Sequence, residues 1–147
     1  MSDPTSLPAR QAPESSWTCS RTFPARPDQV AQARAFLSRM LEECRFTDDV
    51  VLICSELATN AIRHSDSSAP GGSFTVRARV RDRDYVWVEV EDQGGRWADD
   101  GEEQPDQRGR GLEIVAMLAD YWDIRGDDTG RVVCARIDWP GVMRDRA

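Results

Sequence analysis

The chain has 147 residues, a formal net charge of -7 and 31% charged side chains. That length makes one domain with a real core and is too short for two. The acidic balance excludes nucleic acid as the primary partner, since phosphate binding needs a concentrated basic face. All 19 basic residues are arginine, which excludes a P-loop lysine, the strand lysine of eukaryotic-type protein kinases and a Schiff base to a carbonyl cofactor. Any Ser-His-Asp or multi-histidine metal site would have to be built around His64 alone.

Residues 1–14 are rich in Pro, Ser, Gln and Ala and read as a disordered tail ahead of a domain at 15–147. No apolar stretch preceded by positive charge suggests a signal peptide, and no run reaches membrane-spanning length. A soluble, cytoplasmic protein without membrane contact is expected. Cys19, Cys44, Cys54 and Cys134 are widely separated, with no Cys-x-x-Cys pair, and read as small buried hydrophobes.

In chain order, residues 16–23 alternate Trp17, Cys19 and Phe23 against Ser16, Ser20 and Thr22, the pattern of a strand. After Pro24 to Pro27, Asp28 sits where a negative charge complements a helix start. Val30, Ala33, Leu37, Met40, Leu41 and Cys44 recur at helical spacing and predict a helix to about Cys44. Thr47 reads as the N-cap of a second helix, with Asp48 and Asp49 in its first turn and an end by Ser65. Its apolar stripes, Val50, Ile53, Leu57 and Ala61 beside Val51, Ala58 and Ile62, are wide enough to pack on more than one side.

A loop from Ser67 to Gly72 precedes a switch to period two. Phe74, Val76, Ala78 and Val80 alternate with Thr75, Arg77, Arg79 and Arg81, and Asp82 to Asp84 turn the chain into a second strand faced by Val86, Val88 and Val90. The same parity puts Asp92 on the valine side, an expensive place for a carboxylate without a partner. Gln93 to Gln107 is acidic, contains Gly101 and Pro105, and reads as a mobile lid loop. Gly109 and Gly111 open a third helix from Leu112 to about Ala119. Tyr121 to Arg125 and Val132 to Trp139 form a hairpin across Asp127–Gly130, with Val133, Ala135, Ile137 and Trp139 facing the core. Hairpins with helices gathered on one face predict an α+β two-layer sandwich, a mostly antiparallel mixed sheet, and not a doubly wound fold.

Glu56 and Asn60 are one helical turn apart on an otherwise apolar helix, so they can converge on a single object: each other, a water, or a metal with its ligand. Asp92 and Gly94 end a central strand, and Arg108-Gly109-Arg110-Gly111-Leu112 begins a helix after the acidic loop. The last segment lacks the third glycine of a dinucleotide fingerprint and the Lys-Ser or Lys-Thr of a P-loop. What remains is flexible backbone at a helix N-terminus, suited to a phosphate.

These three pieces, in this order and on these elements, resemble the Bergerat-fold (GHKL) ATPases: gyrase B subunits, histidine kinases, heat-shock chaperones and mismatch-repair ATPases. The short form looks most like the bacterial anti-sigma-factor serine/threonine kinases and their regulatory relatives, over roughly residues 20 to 139. The resemblance implies ATP and Mg²⁺ as cofactors, with Asn60 as the metal ligand and Glu56 as the general base. It implies Asp92 as acceptor for the adenine amino group, Gly94 as close backbone beside the base, and Arg108, Gly109, Arg110, Gly111 and Leu112 around the phosphates. It further implies a sigma factor and an anti-anti-sigma protein as partners, and a homodimer.

The expected function is therefore a regulatory kinase that sequesters a sigma factor and phosphorylates a serine on its antagonist. The alternative is an ATP-responsive sequestering module without kinase activity, and a third reading, a histidine-kinase catalytic domain, lacks room for the helical hairpin that presents its histidine. Many family members carry a threonine just after the glycine of the last hairpin. Here Gly130-Arg131-Val132-Val133 offers Val132 or Val133 instead, and Thr129 would need a displaced register. His64 follows Asn60 by four and reads either as a helix-end cap or as a neighbour of the phosphates.

Overall fold

The computed structural model describes residues 16–64, 71–94, 105–127 and 129–142, with backbone alone at 64 and 105–111. Period-two segments form strands β1 (Ser16–Pro24), β2 (Ser73–Arg81), β3 (Tyr85–Asp92), β4 (Tyr121–Asp127) and β5 (Gly130–Asp138). Helices are α1 (Gln29–Met40), α2 (Thr47–His64) and α3 (Pro105–Leu118). The strands make one sheet in the order β1-β2-β3-β5-β4, and all four pairings are antiparallel. The α+β expectation holds, while the mixed component of the sheet is missing: no parallel pair occurs among the described strands.

The core lies between the sheet and α2. Phe74, Val76, Ala78 and Val80 of β2 and Val86, Val88 and Val90 of β3 are buried under Val50, Ile53, Leu57, Ala58 and Ala61 of α2. Each fully buried side chain of valine or leucine size contributes about 2 kcal/mol. Helix α2 packs on β2, β3, α1 and α3, which accounts for the width of its apolar surface. Phe23 stacks on its cross-strand partner Phe74 at 5.6 Å and meets Phe36 of α1 edge-on at 5.9 Å, fastening β1 and α1 to the core. All four cysteines are free, and burial pushes the Cys54 thiol up to about 12.

Two helix boundaries and one cap differ from the pattern read along the sequence. Helix α1 ends at Met40, which is exposed, and Leu41 forms its C-cap, so the apolar spacing runs past the helix itself. The Thr47 hydroxyl donates backward to the carbonyls of Leu41 and of Cys44, the latter at 2.7 Å, so it closes the α1–α2 turn and does not cap α2. Helix α3 starts at Pro105 and not at Leu112. Proline is well suited to a first helical position, and residues 105–107 therefore belong to the helix and not to a loop. The tail at 1–14, the loop at 67–70 and the acidic stretch at 95–104 fall outside the described residues.

Connection order decides which strand ends meet. Helix α3 carries the chain from β3 to the sheet edge as β4, and the hairpin returns β5 between β4 and β3. Because β3 and β5 are antiparallel, the end of β3 adjoins the start of β5, with Asp92 opposite Arg131. The hairpin that sets this register depends on Gly126, at φ +111°, where an added Cβ would lie 2.1 Å from the Gly130 carbonyl oxygen and 2.9 Å from Arg131 Cα. Asp127 fixes the turn by accepting the Thr129 N–H at 2.8 Å and its hydroxyl at 2.5 Å, bonds that hold its carboxyl below the usual range. Gly126→Ala is expected to destabilise the fold by about 3 kcal/mol through backbone strain and overlap. Thermal unfolding should show a Tm lower by on the order of 10 °C, and an unchanged Tm would refute the dependence on Gly126.

Candidate functional site

Helix α2 satisfies some of its own polar side chains. The Ser55 hydroxyl donates to the Val51 carbonyl at 3.0 Å and the Thr59 hydroxyl to the Ser55 carbonyl at 2.7 Å, each one turn back. Glu56 and Asn60 remain on a shared stripe at i and i+4, Glu56 half-buried and Asn60 only 8% exposed. The predicted pair is thus present, with the amide deep and the carboxylate closer to the surface.

On β3 the alternation that buries Val86, Val88 and Val90 continues to Asp92, 5% exposed. Asp92 Oδ1 accepts the Gly94 N–H at 2.7 Å, which fixes the carboxylate's orientation while a carboxylate retains capacity for further donors. Gly94 has φ +77°, in the left-handed region that favours glycine. Gln93 reaches the other way, its Oε1 accepting the Ser73 N–H at 3.2 Å and tying the end of β3 to the start of β2.

Topology gathers the three predicted pieces at one end of the sandwich. The chain leaves α2 after His64 and re-enters the sheet at Ser73, beside Gln93, so the half of α2 that carries Asn60 runs toward the Asp92 end. Helix α3 finishes at the other end, where the Asp120 N–H donates to the Arg136 carbonyl at 2.8 Å and Asp120 Oδ2 accepts the Asp138 N–H at 2.7 Å. Its 14 residues span about 21 Å and pack on α2, so its N-terminal half points back toward Asp92.

The glycine segment differs from expectation in one respect. Gly109 and Gly111 lie inside α3, past its first turn, together with Arg110 and Leu112, while Arg108 closes that first turn. In an α-helix the N–H groups without an intrahelical acceptor belong to the first four residues, here around Asp106 to Arg108. The backbone donors of Gly109 to Leu112 are therefore engaged in the helix rather than presented to a phosphate. Leu112 is half-buried, and the side chains of His64, Arg108 and Arg110 lie outside the described residues.

One residue at this end escapes a reading by motif. Arg131 is 9% exposed and shares the inward parity of Val133, Ala135 and Ile137. It stands just after Gly130, the position at which the family resemblance implies a threonine; Val132 falls on the opposite face and Val133 lies one inward position deeper. The same parity rule that singled out Asp92 would have found it. Thr129 is exposed and bonded to Asp127, so it does not substitute at the site.

Two other clefts lie elsewhere. One of about 450 Å³, lined by Trp17, Leu41, Val80 and Trp139, sits at the opposite end of the strands. Another of about 430 Å³, lined by Thr18, Arg77, Trp87 and Glu89, is on the uncovered face of the sheet. Among the described residues no group of three or more His, Cys, Asp or Glu side chains forms a metal cage. The Asn60 amide oxygen suits a cation that draws most of its shell from phosphates and water, as Mg²⁺ does.

Comparison with known proteins identifies the fold and the family. A search of curated proteins returns no match. Among solved structures, the SiaB–SiaC complex from Pseudomonas aeruginosa contains a chain with the same fold, at a TM-score of 0.60 and 14% identity, covering 90% of this chain and 96% of that one. A family model, the histidine kinase-like ATPase domain, matches residues 23–137, from the end of β1 almost to the end of β5. The chain belongs to the histidine kinase-like ATPase domain family, and ATP binding follows from that membership.

Proposed function

We propose that this chain is an anti-sigma-factor serine/threonine kinase, which binds Mg·ATP, sequesters a sigma factor and phosphorylates a serine on an anti-anti-sigma antagonist. The observation that carries the reading is Asp92, a buried carboxylate oriented by Gly94 at the sandwich end toward which Glu56 and Asn60 run. An ionised carboxylate only accepts hydrogen bonds, which matches the exocyclic amine of adenine. Asn60 would hold Mg²⁺ together with the phosphates, and that ion would offset the charge of the triphosphate.

Glu56, nearer the surface than Asn60, accepts the proton of the attacking serine hydroxyl as its oxygen bonds to the γ-phosphorus and the bond to the β-phosphate oxygen breaks, releasing ADP. The glycines of α3 each cost about 1 kcal/mol relative to alanine inside a helix, so its first turns can convert to a phosphate-binding loop at modest expense. That conversion would expose the backbone donors of Gly109 to Leu112. Partner binding draws support from the fold it shares with a chain crystallised in the SiaB–SiaC complex. The tail at 1–14 and a homodimer belong to the same proposal.

Asp92→Asn exchanges an acceptor-only group for one that also presents donors, and calorimetry should show ATP binding weakened by about tenfold or more. Glu56→Ala should keep ATP affinity within a factor of about three while phosphotransfer to the antagonist falls by about 100-fold or more. If labelled ATP marks no serine even in the wild-type protein but the partner complex still depends on ATP, the sequestering module replaces the kinase. Asn60→Ala should remove the Mg²⁺ dependence of ATP affinity, measured as the ratio of Kd with and without the metal. A ratio unchanged from wild type would take Asn60 out of the metal site.

A further inference from the structure

We infer that residues 143–147 fold back over the aromatic cleft at the end of the sandwich opposite Asp92, with Arg144 and Arg146 against its acidic rim. The cleft, of about 450 Å³, opens where the end of α1 meets the start of β1. Trp17 and its cross-strand partner Val80 line it together with Trp139 and Met40. Met40 is 41% exposed and both indoles are half-buried, so the lining keeps apolar surface in contact with water. Trp139 is held in place, its backbone N–H donating to the Asp84 carbonyl at 2.9 Å and its ring meeting Phe46 edge-on at 4.9 Å. Around these rings Glu42, Glu43 and Asp82 outnumber Arg39, three carboxylates to one guanidinium.

The chain itself brings the complementary charge to this place. After β5 the Val142 N–H donates to the Trp139 carbonyl at 3.2 Å, in a turn where Gly141 takes φ +87° and Val142 is half-buried. Residues 143–147, outside the described residues, read Met-Arg-Asp-Arg-Ala, two bases and one acid. Extended, they reach about 17 Å, enough to cross the cleft. Tethering at Val142 gives them an effective concentration of about millimolar, so a weak attraction suffices. Arginine over an aromatic ring already recurs in this fold, with Arg21 over Phe23 at 5.0 Å and Arg45 over Phe46 at 5.2 Å. The other segment that adjoins the cleft, residues 1–15 ahead of β1, carries Asp3 and Glu14 against Arg10 and so matches the sign of the rim.

Cys44 lines this cleft and Cys19 does not, and both thiols are half-buried. The test is the rate at which N-ethylmaleimide modifies Cys44 relative to Cys19, followed by mass spectrometry, in the full chain and in a chain ending at Val142. A segment docked in about nine molecules of ten slows Cys44 about tenfold, so truncation should raise the ratio by about fivefold or more. Arg144→Glu with Arg146→Glu should raise it as much, and adding Glu42→Arg with Glu43→Arg should restore the slow rate. Burial raises the Cys44 thiol above its ordinary value and the Asp82 carboxylate adds to the rise. Nearby arginines would lower it and favour the reactive thiolate, so losing their charge alone slows Cys44, and a faster rate reads uncovering. The wild type gives a check that needs no variant to fold: raising salt from about 0.1 M to about 1 M shortens the Debye length from ~10 Å to ~3 Å and should raise the ratio. A ratio unchanged by truncation overturns the inference. So does shielding lost only when residues 1–14 are removed, which gives the cleft to that segment, or shielding that grows with protein concentration, which gives it to a second copy.

Discussion

The constraint on which this end of the molecule depends is a carboxylate placed where a fourth valine would otherwise go. Burying an ionised group without partners costs several kcal/mol, so the residues around Asp92 have to satisfy it. Gly94 supplies an N–H at 2.7 Å and can do so because its backbone adopts φ +77°. Gln93 ties the strand end to Ser73. Antiparallel pairing then sets a guanidinium-bearing residue directly opposite. The stretch Asp92-Gln93-Gly94 is thus three residues with three jobs, each imposed by the first.

The end of β3 and the start of α3 differ in what holds them. The Asp92 end stands on Val86, Val88, Val90 and Val133, all buried, with α2 packed across β2 and β3. Moving Asp92 would disturb that core. The start of α3 has the opposite character, because two glycines within four positions weaken the helix by about 1 kcal/mol each. Glu56 and Asn60 stand on a helix whose Ser55 and Thr59 hydroxyls are already bonded to its own carbonyls.

The uncovered face of the sheet satisfies itself. Arg77 lies 3.0 Å from Glu91 and 3.8 Å from Glu89, and Arg136 bonds Asp138 at 2.8 Å while its guanidinium stands 5.0 Å from the centre of the Tyr121 ring. Trp87 and Tyr121 stack at 6.3 Å. Ion pairs at a solvated surface contribute little to stability, about 0–1 kcal/mol each, and the Arg136–Asp138 pair is the more buried of these. Their effect is to keep a wide face wet and charged, which confines the apolar packing, and with it the site, to the helix-covered side.

Periodicity made most of this architecture legible, because strand alternation and helix stripes are consequences of burial on one face. The β2–β3 hairpin, the long α2 helix and the inward turn of Asp92 could all be read from residue spacing. Boundaries set by hydrogen bonds were harder to read. Apolar spacing continued through Leu41 and Cys44 while the Thr47 hydroxyl, by donating backward, closed a turn there. The start of α3 was obscured for a related reason: acidic residues and glycines suggest a loop, yet Pro105 is a favourable first residue for a helix. Arg131 is the most instructive case. Strand alternation marks it as inward just as it marks Asp92, but a charged residue in place of a hydroxyl after Gly130 matches no family motif. Register supplied what spacing along one strand lacks, since only the pairing of β3 with β5 places the two charged residues face to face. A carboxylate-bearing residue at the end of one buried strand and a guanidinium-bearing residue at the start of its neighbour thus share the outermost layer of the same core face, a placement that neither strand's spacing reveals alone.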